Sequence, residues 1–487
     1  MPGAEVRETH ISIVLLLDDR VLKIRKPVAL DFLDFSTIEA RARDCRREVE
    51  LNSRLAPDVY LGAAEVILGA DVIDHMVVMR RLPDERSLSH VIAANDGSAP
   101  AEDIRSVAQT LFAFHNHAER SAAISLAGTK DAVSHKLEAD IEETRRFVGA
   151  TLDGEIHHRI AHSFRRYLQG RGPLFTERVA EGLVCDGHGD LQADDIYLLD
   201  DGPRILDCLE FDDALRYGDV AADIAFLAMD LERRGSPSSA AQLLSDYEDL
   251  SARRIPPSLF HFYVAAKALI RAKVACLRHE QGDAAAATAA SSLLHLSHDH
   301  LERGRVRMVL IGGLPGSGKS TLSSSVAKSL GWTIIRSDSL RREKTQEVRA
   351  GHPGPNEFQR GQYSPEITSA LYNDMNERAA RLLGFGQSVI VDASWTSESN
   401  REGARNVARE NFADLVELEC VAPDTVAEDR LARRLRVGED PSEATLEIRR
   451  AMAARQSEWP DAVKIDTSGV IDEATSTALT AIETWDE

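Results

Sequence analysis

The segment Gly313-Leu-Pro-Gly-Ser-Gly-Lys-Ser320 constrains the fold of this chain more than any other feature. It fits the spacing G-x-x-x-x-G-K-[ST], and it stands between an apolar run, Met308 to Ile311, and a helix-forming stretch that begins at Thr321. Glycines let the backbone curl so that amide groups and a helix N-terminus face an anion, while the lysine reaches the β/γ-phosphates and the hydroxyl ligates magnesium. The segment therefore predicts a strand, a phosphate-binding loop and a helix in direct succession.

The length of 487 residues exceeds what a single hydrophobic core usually holds, so two or three domains are expected. The five cysteines are scattered and never spaced as C-x-x-C, which argues against a disulfide framework or a zinc site and indicates a reducing compartment. The N-terminal residues lack a basic stretch followed by an apolar core, and the run from Ile13 to Leu17 is too short to span a bilayer. We expect a cytoplasmic protein.

The net charge of -21 at pH 7 bears on partners. A polyanion-binding surface needs an excess of Lys and Arg to neutralise phosphates, and no such excess is present. We therefore expect neither nucleic acid nor membrane as a partner, and the sequence carries no signal for the oligomeric state.

Two patterns of predicted elements meet near residue 303. The first half opens with short strands, a helix over about 37–55 and further strands, and it is then mainly helical apart from a strand-rich window at 183–211. A small mixed lobe followed by a helical lobe is an α+β pattern. The second half alternates strands and helices, which implies an α/β fold with a parallel sheet. We predict two domains, 1–302 and 303–487.

Four further residues of the second half are candidates for phosphate chemistry. Asp338 and Asp392 follow or end predicted strands, where this type of fold places its working groups, and either can orient magnesium or accept a proton. An N-cap of the following helix is an equally good interpretation of Asp338. Arg430 and Arg434 lie four residues apart on one helical face, as a lid that neutralises phosphoryl charge requires, although ordinary surface charges are the alternative.

Together these segments resemble the P-loop small-molecule kinases, a group that includes gluconate kinase, chloramphenicol phosphotransferase, zeta toxin and the kinase half of bacteriophage polynucleotide kinase. The resemblance covers roughly 305–487 and implies an ATP site with Mg2+. It places Asp338 at the acceptor as base or substrate ligand and Arg430 or Arg434 against ATP, and Ser320 and Asp392 are the predicted magnesium ligands. The predicted nucleotide-binding set is Gly313, Leu314, Pro315, Gly316, Ser317, Gly318, Lys319, Ser320 and Thr321.

A second candidate site lies in the window 183–211. The segment Asp186-Gly-His-Gly-Asp190 precedes a predicted hairpin whose turn contains Asp200 and Asp201 and whose second strand runs from Arg204 to Phe211. Asp190 is placed to hydrogen-bond an acceptor hydroxyl. Asp195 and Asp207 can hold magnesium, which prefers carboxylate oxygens.

This window resembles the catalytic loop of aminoglycoside phosphotransferase-like kinases, relatives of protein kinases, in which H-G-D-x-x-x-x-N precedes a hairpin and a metal-binding aspartate. The resemblance covers about residues 8–280. His188, Gly189 and Asp190 match, and Asp207 takes the place of the metal-binding aspartate. Asp195 replaces the asparagine, which keeps an oxygen ligand and adds a negative charge.

The same resemblance implies that Lys23 is the lysine that pairs with the ATP phosphates and that Glu48 is its helix partner. The helical pattern independently favours Glu48 over Glu50, because Glu48 falls on the apolar side with Cys45 and Leu51. An exposed strand lysine is the alternative for Lys23. No G-x-G-x-x-G segment precedes it.

Other residues that attract attention have ordinary explanations. His295, His298 and His300 do not converge on one helical face, so we expect a solvated helix end rather than a metal site. The four tryptophans are expected to be core or surface anchors.

The preferred hypothesis is a kinase that transfers the γ-phosphoryl group of ATP to a hydroxyl of a small polar metabolite such as a sugar or an aminocyclitol, with the first half a second kinase or a degenerate one. Two alternatives stay open. One is an ATP-sensing regulator with a degenerate kinase-like half, and the other is a nucleic-acid end kinase, which the charge balance disfavours.

Overall fold

A computed structural model describes the chain apart from residues 1–4, 9–10, 31–32, 349–364, 438–444 and 485–487, and apart from the side chains of residues 30, 33, 344–348, 365 and 434–437. Contacts within the chain divide it into two compact units. The first comprises Met1–His162, Phe175–Ile255 and Leu259–Arg303, and the second comprises Ser163–Leu174, Pro256–Ser258 and Gly304–Glu487.

The first unit opens with a small mixed lobe. Its elements are β1 (Glu5–Glu8), β2 (Ser12–Leu16), β3 (Arg20–Arg25), β4 (Ala29–Leu30), β5 (Leu33–Asp34), helix α1 (Ile38–Asn52), β6 (Tyr60–Leu68) and β7 (Asp71–Arg80). Five of the strands form an antiparallel sheet in the order β1-β2-β3-β7-β6.

Helix α1 packs against this sheet. It begins at the N-cap Thr37, whose hydroxyl accepts a hydrogen bond from the Ala40 amide at 3.2 Å. Its buried face includes Cys45, Glu48 and Leu51, as the helical pattern predicts. The helix predicted over 37–55 is therefore present, and it is about one turn shorter at its C-terminal end.

A helical lobe follows, interrupted by short strands. Its elements are α2 (Leu88–Ala94), α3 (Ala101–His117), α4 (Ala122–Leu126), α5 (Lys130–Arg145), α6 (Gly154–Gly170), α7 (Gly172–Ala180), β8 (Val184–Asp186), β9 (Ile196–Leu199), β10 (Gly202–Ile205), α8 (Asp213–Arg216), β11 (Tyr217–Asp219), α9 (Val220–Arg233), α10 (Pro237–Ser251), α11 (Pro257–Glu280) and α12 (Ala286–Arg303). The last eight residues of α6 and the first three of α7 fall in the second unit.

The hairpin of β9 and β10 turns at Asp200 and Asp201, as predicted. The strand expected to run on to Phe211 stops at Ile205 instead. Asp207 has a φ of +59°, a left-handed backbone conformation that a strand cannot contain. The chain therefore leaves the hairpin at this aspartate.

The second unit alternates strands and helices. Its further elements are β12 (Arg307–Gly312), α13 (Lys319–Leu330), β13 (Thr333–Arg336), α14 (Ser337–Val348), α15 (Pro365–Gly384), β14 (Val389–Asp392), α16 (Glu398–Glu410), β15 (Asp414–Val421), α17 (Asp424–Val437), α18 (Leu446–Ala453), β16 (Val463–Asp466) and α19 (Ile471–Glu483). The strands form an all-parallel sheet in the order β13-β14-β12-β15-β16. The sequence did not predict β16, α18 or α19.

The central strand β12 fixes the place of the phosphate-binding loop. Its residues Met308 to Ile311 are fully buried, the continuous apolar pattern of a strand covered on both faces. The chain passes from β12 to β13 and β14 on one side and to β15 and β16 on the other. A ligand crevice is expected outside the carboxyl end of a strand at such a switch point, and the loop begins there.

The prediction for His300 is wrong. This side chain is buried, with Nε2 2.9 Å from Glu232 Oε2 and Nδ1 2.9 Å from His261 Nδ1, because α12 turns it towards the neighbouring helices of its unit. Trp395 and Trp459 are buried, as core tryptophans should be.

Among the described residues, no helix has the length and apolar character needed to cross a bilayer.

Candidate active sites

Lys23 of β3 lies between two carboxylates. Its Nζ is 2.8 Å from Glu48 Oε1 in α1 and 2.9 Å from Asp207 Oδ1, which follows the β9–β10 hairpin. Burial disfavours the ammonium form, but the two carboxylates outweigh it and raise the pKa of Lys23 well above its usual value. This ion pair joins three segments that are far apart in the sequence, and Glu50, the rejected alternative, is exposed.

Arg25 fixes the other oxygen of Glu48. It follows Lys23 by two residues in β3, so both side chains share one face of the strand. The buried guanidinium is 2.7 Å from Glu48 Oε2 and 2.6 Å from Asp44 Oδ2, and it also pairs with Glu210. Removing one partner of such a buried pair typically costs about 3–5 kcal/mol. Sequence analysis missed Arg25, although the period of two along β3 places it beside Lys23.

Asp223 of α9 fixes the backbone of the loop that carries Asp190. The carboxylate accepts hydrogen bonds from the His188 amide at 2.7 Å and from the Gly189 amide at 3.1 Å. Burial opposes its ionisation, but His115, and after it His188, hold the pKa of Asp223 below its usual range. The His188 ring donates from Nε2 to the Leu206 carbonyl at 3.0 Å. No motif in the sequence pointed to Asp223, which lies 35 residues away from His188.

The Asp190 carboxylate is partly exposed, as a group that meets an acceptor must be. Gln192 donates to its Oδ2 at 3.1 Å, and Arg271 Nη1 is 3.7 Å from its Oδ1. Burial raises the pKa of Asp190, and Arg271 opposes this rise. No sequence motif pointed to Arg271.

Asp207 has a cation beside it, whereas the charge of Asp195 is opposed by neighbouring carboxylates. The charge of Lys23 lowers the pKa of Asp207. Burial, and then the carboxylates of Asp207 and Asp190, raise the pKa of Asp195 well above its usual value. Carboxylate oxygens are the ligands that magnesium prefers, and a divalent cation would relieve this repulsion, so Asp195 and Asp207 fit a magnesium site.

The loop of the second unit requires its glycines. Gly313, Gly316 and Gly318 have φ angles of +137°, +83° and +88°. A Cβ at Gly316 would lie 2.7 Å from the Ala427 carbonyl oxygen, and one at Gly313 would lie 2.5 Å from Ser317 Oγ. This Ser317 hydroxyl is buried and has no hydrogen-bond partner within the described part of the chain. The cradle and the orphaned hydroxyl fit a phosphate group.

Two arginines hold the carbonyl side of this loop. Arg430 Nη1 donates to the Gly316 carbonyl at 3.4 Å, and its Nη2 donates to the Thr467 carbonyl at 2.5 Å. Arg449, which sequence analysis missed, donates to the Pro315 carbonyl at 2.7 Å. Carbonyls bound from this side leave the amides to face a ligand. The side chain of Arg434, in α17, lies outside the described residues.

Lys319, Ser320 and Thr321 form the first turn of α13, and the Lys319 side chain is buried beside Asp392. Asp392 pairs with Ile311 across the sheet and accepts a hydrogen bond from Ser323 Oγ at 2.8 Å. Burial raises the pKa of Asp392, and Lys319 opposes this rise. The Ser320 hydroxyl, in the first turn of α13, and the Asp392 carboxylate, at the end of β14, supply oxygen ligands, so these two residues fit magnesium.

Asp338 is the second residue of α14, which begins at Ser337. The N-cap interpretation is therefore wrong, because Asp338 lies inside the helix. Its charge acts on Asp392 and on the buried Tyr372 hydroxyl, which lies 3.2 Å from Ser394 Oγ. Asp338 therefore lies within electrostatic range of Asp392, the residue that ends β14.

Comparisons with known proteins find a different family for each half of the chain. Residues 17–256 match the model of the phosphotransferase enzyme family, and residues 308–459 match an AAA domain. Uncharacterized protein Rv2004c of Mycobacterium tuberculosis is 41% identical over 471 residues, which cover 96% of this chain and 93% of that protein, and Mb2027c of Mycobacterium bovis gives the same values. This chain belongs to their family.

This chain joins an aminoglycoside phosphotransferase-like domain to a P-loop kinase domain, and both domains are of phosphotransferase or kinase families. The chain is therefore a phosphotransferase enzyme. Among solved structures, the GDP complex of aminoglycoside 2'-phosphotransferase-IIIa is 16% identical with a TM-score of 0.37, and the match covers 61% of this chain and 93% of that one. The APS kinase of Mycobacterium tuberculosis is 22% identical with a TM-score of 0.29, over 37% of this chain and 99% of that one.

The repulsion at Asp195 generates a prediction about stability. Because its pKa is raised in the folded state, ionisation of Asp195 costs stability at every pH above its unfolded value of about 3.9, and the cost vanishes as the pH falls below that value. Asp195→Asn should therefore raise the unfolding temperature of the metal-free protein at pH 7–8, by roughly 2–4 °C for each kcal/mol removed. Thermal unfolding across pH 4–8 measures this gain.

The control is Asp18→Asn, which changes an exposed carboxylate in the turn between β2 and β3. It should leave the unfolding temperature unchanged. The charge assignment would be contradicted if Asp195→Asn did not raise the unfolding temperature at pH 7, or if the increase became larger as the pH falls.

Proposed function

We propose that the protein is an ATP-dependent kinase that transfers the γ-phosphoryl group of ATP to a hydroxyl of a small polar metabolite such as a sugar or an aminocyclitol. The observation that carries the proposal is the loop from Gly313 to Ser320, with its glycine cradle, the orphaned Ser317 hydroxyl and the buried Lys319 ammonium beside Asp392. Such a loop binds the phosphates of a nucleotide.

In the second unit, the amides of the loop and Lys319 would bind the β- and γ-phosphates. Ser320 and Asp392 would hold Mg2+, which when bound neutralises charge on the transferring phosphoryl group. Asp338 would orient the acceptor hydroxyl or take its proton. Arg430 would keep the loop in shape through the Gly316 carbonyl.

In the first unit, Lys23 would pair with the ATP phosphates while Glu48 and Arg25 fix its position. Asp190 would hydrogen-bond the acceptor hydroxyl and take its proton. Asp195 and Asp207 would hold the metal. Catalysis at both sites would rest on positioning and charge stabilisation.

The proposed partner is a small-molecule acceptor, with no nucleic acid and no membrane, because the net charge of -21 provides no general polyanion surface. A cytoplasmic location is proposed from the need for ATP and from the five cysteines, all of them unpaired and buried. A second candidate, an ATP-sensing regulator, is favoured by Asp195 in place of asparagine. ATP binding without acceptor-dependent turnover would support that second candidate.

Lys319→Ala tests the phosphate-binding loop. It removes the charge that meets the β/γ-phosphates, so ATP affinity or turnover of the second unit should fall by about a hundredfold or more while the fold survives. Nucleotide titration and circular dichroism provide the measurements. Lys328→Ala is the matched control, since Lys328 is an exposed lysine of the same helix. Unchanged ATP affinity and hydrolysis in a folded Lys319→Ala protein would exclude the loop as the nucleotide site.

Asp207 and Asp190 should respond differently when the first unit is assayed in a Lys319→Ala background. Asp207→Ala should abolish binding of magnesium and nucleotide, because it removes a metal ligand. Asp190→Asn should leave binding nearly intact and lower transfer by about 10²–10⁴-fold, because it removes the proton acceptor. Calorimetric titration and product formation separate the two effects, and equal loss of binding in both variants would contradict these roles.

A further inference from the structure

Two cationic side chains of α11 act on the charge of Asp190. Arg271 Nη1 is 3.7 Å from Asp190 Oδ1, and the two side chains are 23% and 34% exposed. Lys267 precedes Arg271 by four residues, so both side chains project from one face of the helix. The Lys267 ammonium also acts electrostatically on Asp190 and Asp223. The carboxylate that would meet an acceptor is therefore bordered by positive charge.

The charge of Lys267 is poorly compensated. Within the described part of the chain no carboxylate lies at ion-pair distance from its Nζ, which is 5.0 Å from the centroid of the Phe226 ring. Burial lowers the pKa of Lys267, so keeping the ammonium form in this position costs free energy. By contrast, Lys273 of the same helix pairs with Asp140 at 2.6 Å and with Glu143 at 2.8 Å. A partly buried cation without a carboxylate partner attracts an anion.

Three carboxylates act on Lys267, and each of them is already bound to another group. Asp223 accepts from the backbone amides of the Asp190 loop, and Asp190 accepts from Gln192. Asp140 also acts on Lys267, but it already pairs with Lys273. Lys136 of α5 donates to the Tyr217 carbonyl at 3.2 Å, and after burial the charge of Lys267 is the next cause that lowers its pKa. Lys136 therefore adds to the positive potential around Lys267.

We propose that the acceptor of the Asp190 site carries an anionic group, a carboxylate or a phosphate, near the hydroxyl that is phosphorylated, and that Lys267 and Arg271 bind this anion. The proposal rests on the proposed function of this site. In the reaction, the acceptor hydroxyl oxygen forms a bond to the γ-phosphorus while the bond to the β,γ-bridging oxygen breaks. ADP leaves, and the hydroxyl proton passes to Asp190.

This inference narrows the range of acceptors. Neutral sugars would leave the Lys267 ammonium without an anionic partner, and aminocyclitols, which carry ammonium groups at neutral pH, would be repelled by Lys267 and Arg271. A hydroxy acid or a phosphorylated polyol has the charge that the site lacks.

An alternative role for Arg271 is to bind the transferring phosphoryl group rather than the acceptor. The two arrangements differ in kinetics. A residue that binds the acceptor anion affects the acceptor KM and the preference among acceptors. A residue that binds the phosphoryl group lowers kcat for every acceptor and also lowers hydrolysis of ATP without acceptor.

The test uses the full chain carrying Lys319→Ala, so that products report on the first unit. A metabolite extract is divided on an anion exchanger into a retained, anionic fraction and an unretained, neutral and cationic fraction. Each is incubated with ATP and Mg2+, and phosphorylated products that disappear with Asp190→Asn are identified by mass spectrometry. We expect such products from the retained fraction. Prior treatment of that fraction with phosphatase abolishes them if the anion is a phosphate monoester and leaves them if it is a carboxylate.

Lys267→Met and Arg271→Met should each raise the KM for the identified acceptor by about 10–100-fold, the range for losing a hydrogen bond to a charged group, and change kcat less. The control Arg278→Met, on the exposed part of the same helix, should leave both constants unchanged. Products that arise only from the unretained fraction overturn the proposal, and so does an equal fall of kcat and acceptor-free hydrolysis in Arg271→Met. If no product depends on Asp190, the proposed function of the first unit fails instead.

Discussion

The candidate site of the first unit depends on the shared carboxylate of Glu48. Its two oxygens accept from Lys23 and from Arg25, and Lys23 also binds Asp207. Buried charges are costly unless they are paired and hydrogen-bonded, so these groups stabilise one another only in this arrangement. Sheet, helix α1 and the segment after the hairpin are therefore tied together around Lys23, the residue that we propose binds the nucleotide phosphates.

The second unit also holds buried charged groups in fixed positions at its candidate site, but it does so through different contacts. Lys319 is buried beside Asp392, whose position is set by the parallel pairing of β14 with β12 and by the Ser323 hydroxyl. Arginines on the carbonyl side of the loop leave its amide side to an anion. A protein catalyses phosphoryl transfer mainly with charged groups that are in position before the substrate binds.

Local patterns predicted the parts of both sites that lie in one stretch of sequence. The loop at 313–320 follows from its glycines, and the inward direction of Glu48 follows from the helical period. Sequence did not reveal Asp223, Arg271 or Arg449, because each reaches its site from a distant helix and is recognised only through its three-dimensional neighbours. The end of β10 was missed because nothing in the sequence showed the left-handed backbone at Asp207.

We infer that the protein transfers a phosphoryl group to an acceptor rather than only binding ATP. The test incubates the wild-type protein with ATP, Mg2+ and a pool of cell metabolites, and follows ADP and new compounds by mass spectrometry. We expect ADP together with an equal amount of a compound heavier by one phosphoryl group. ATP binding with no phosphorylated compound, or ADP formation matched by free phosphate alone, would show that no acceptor is phosphorylated.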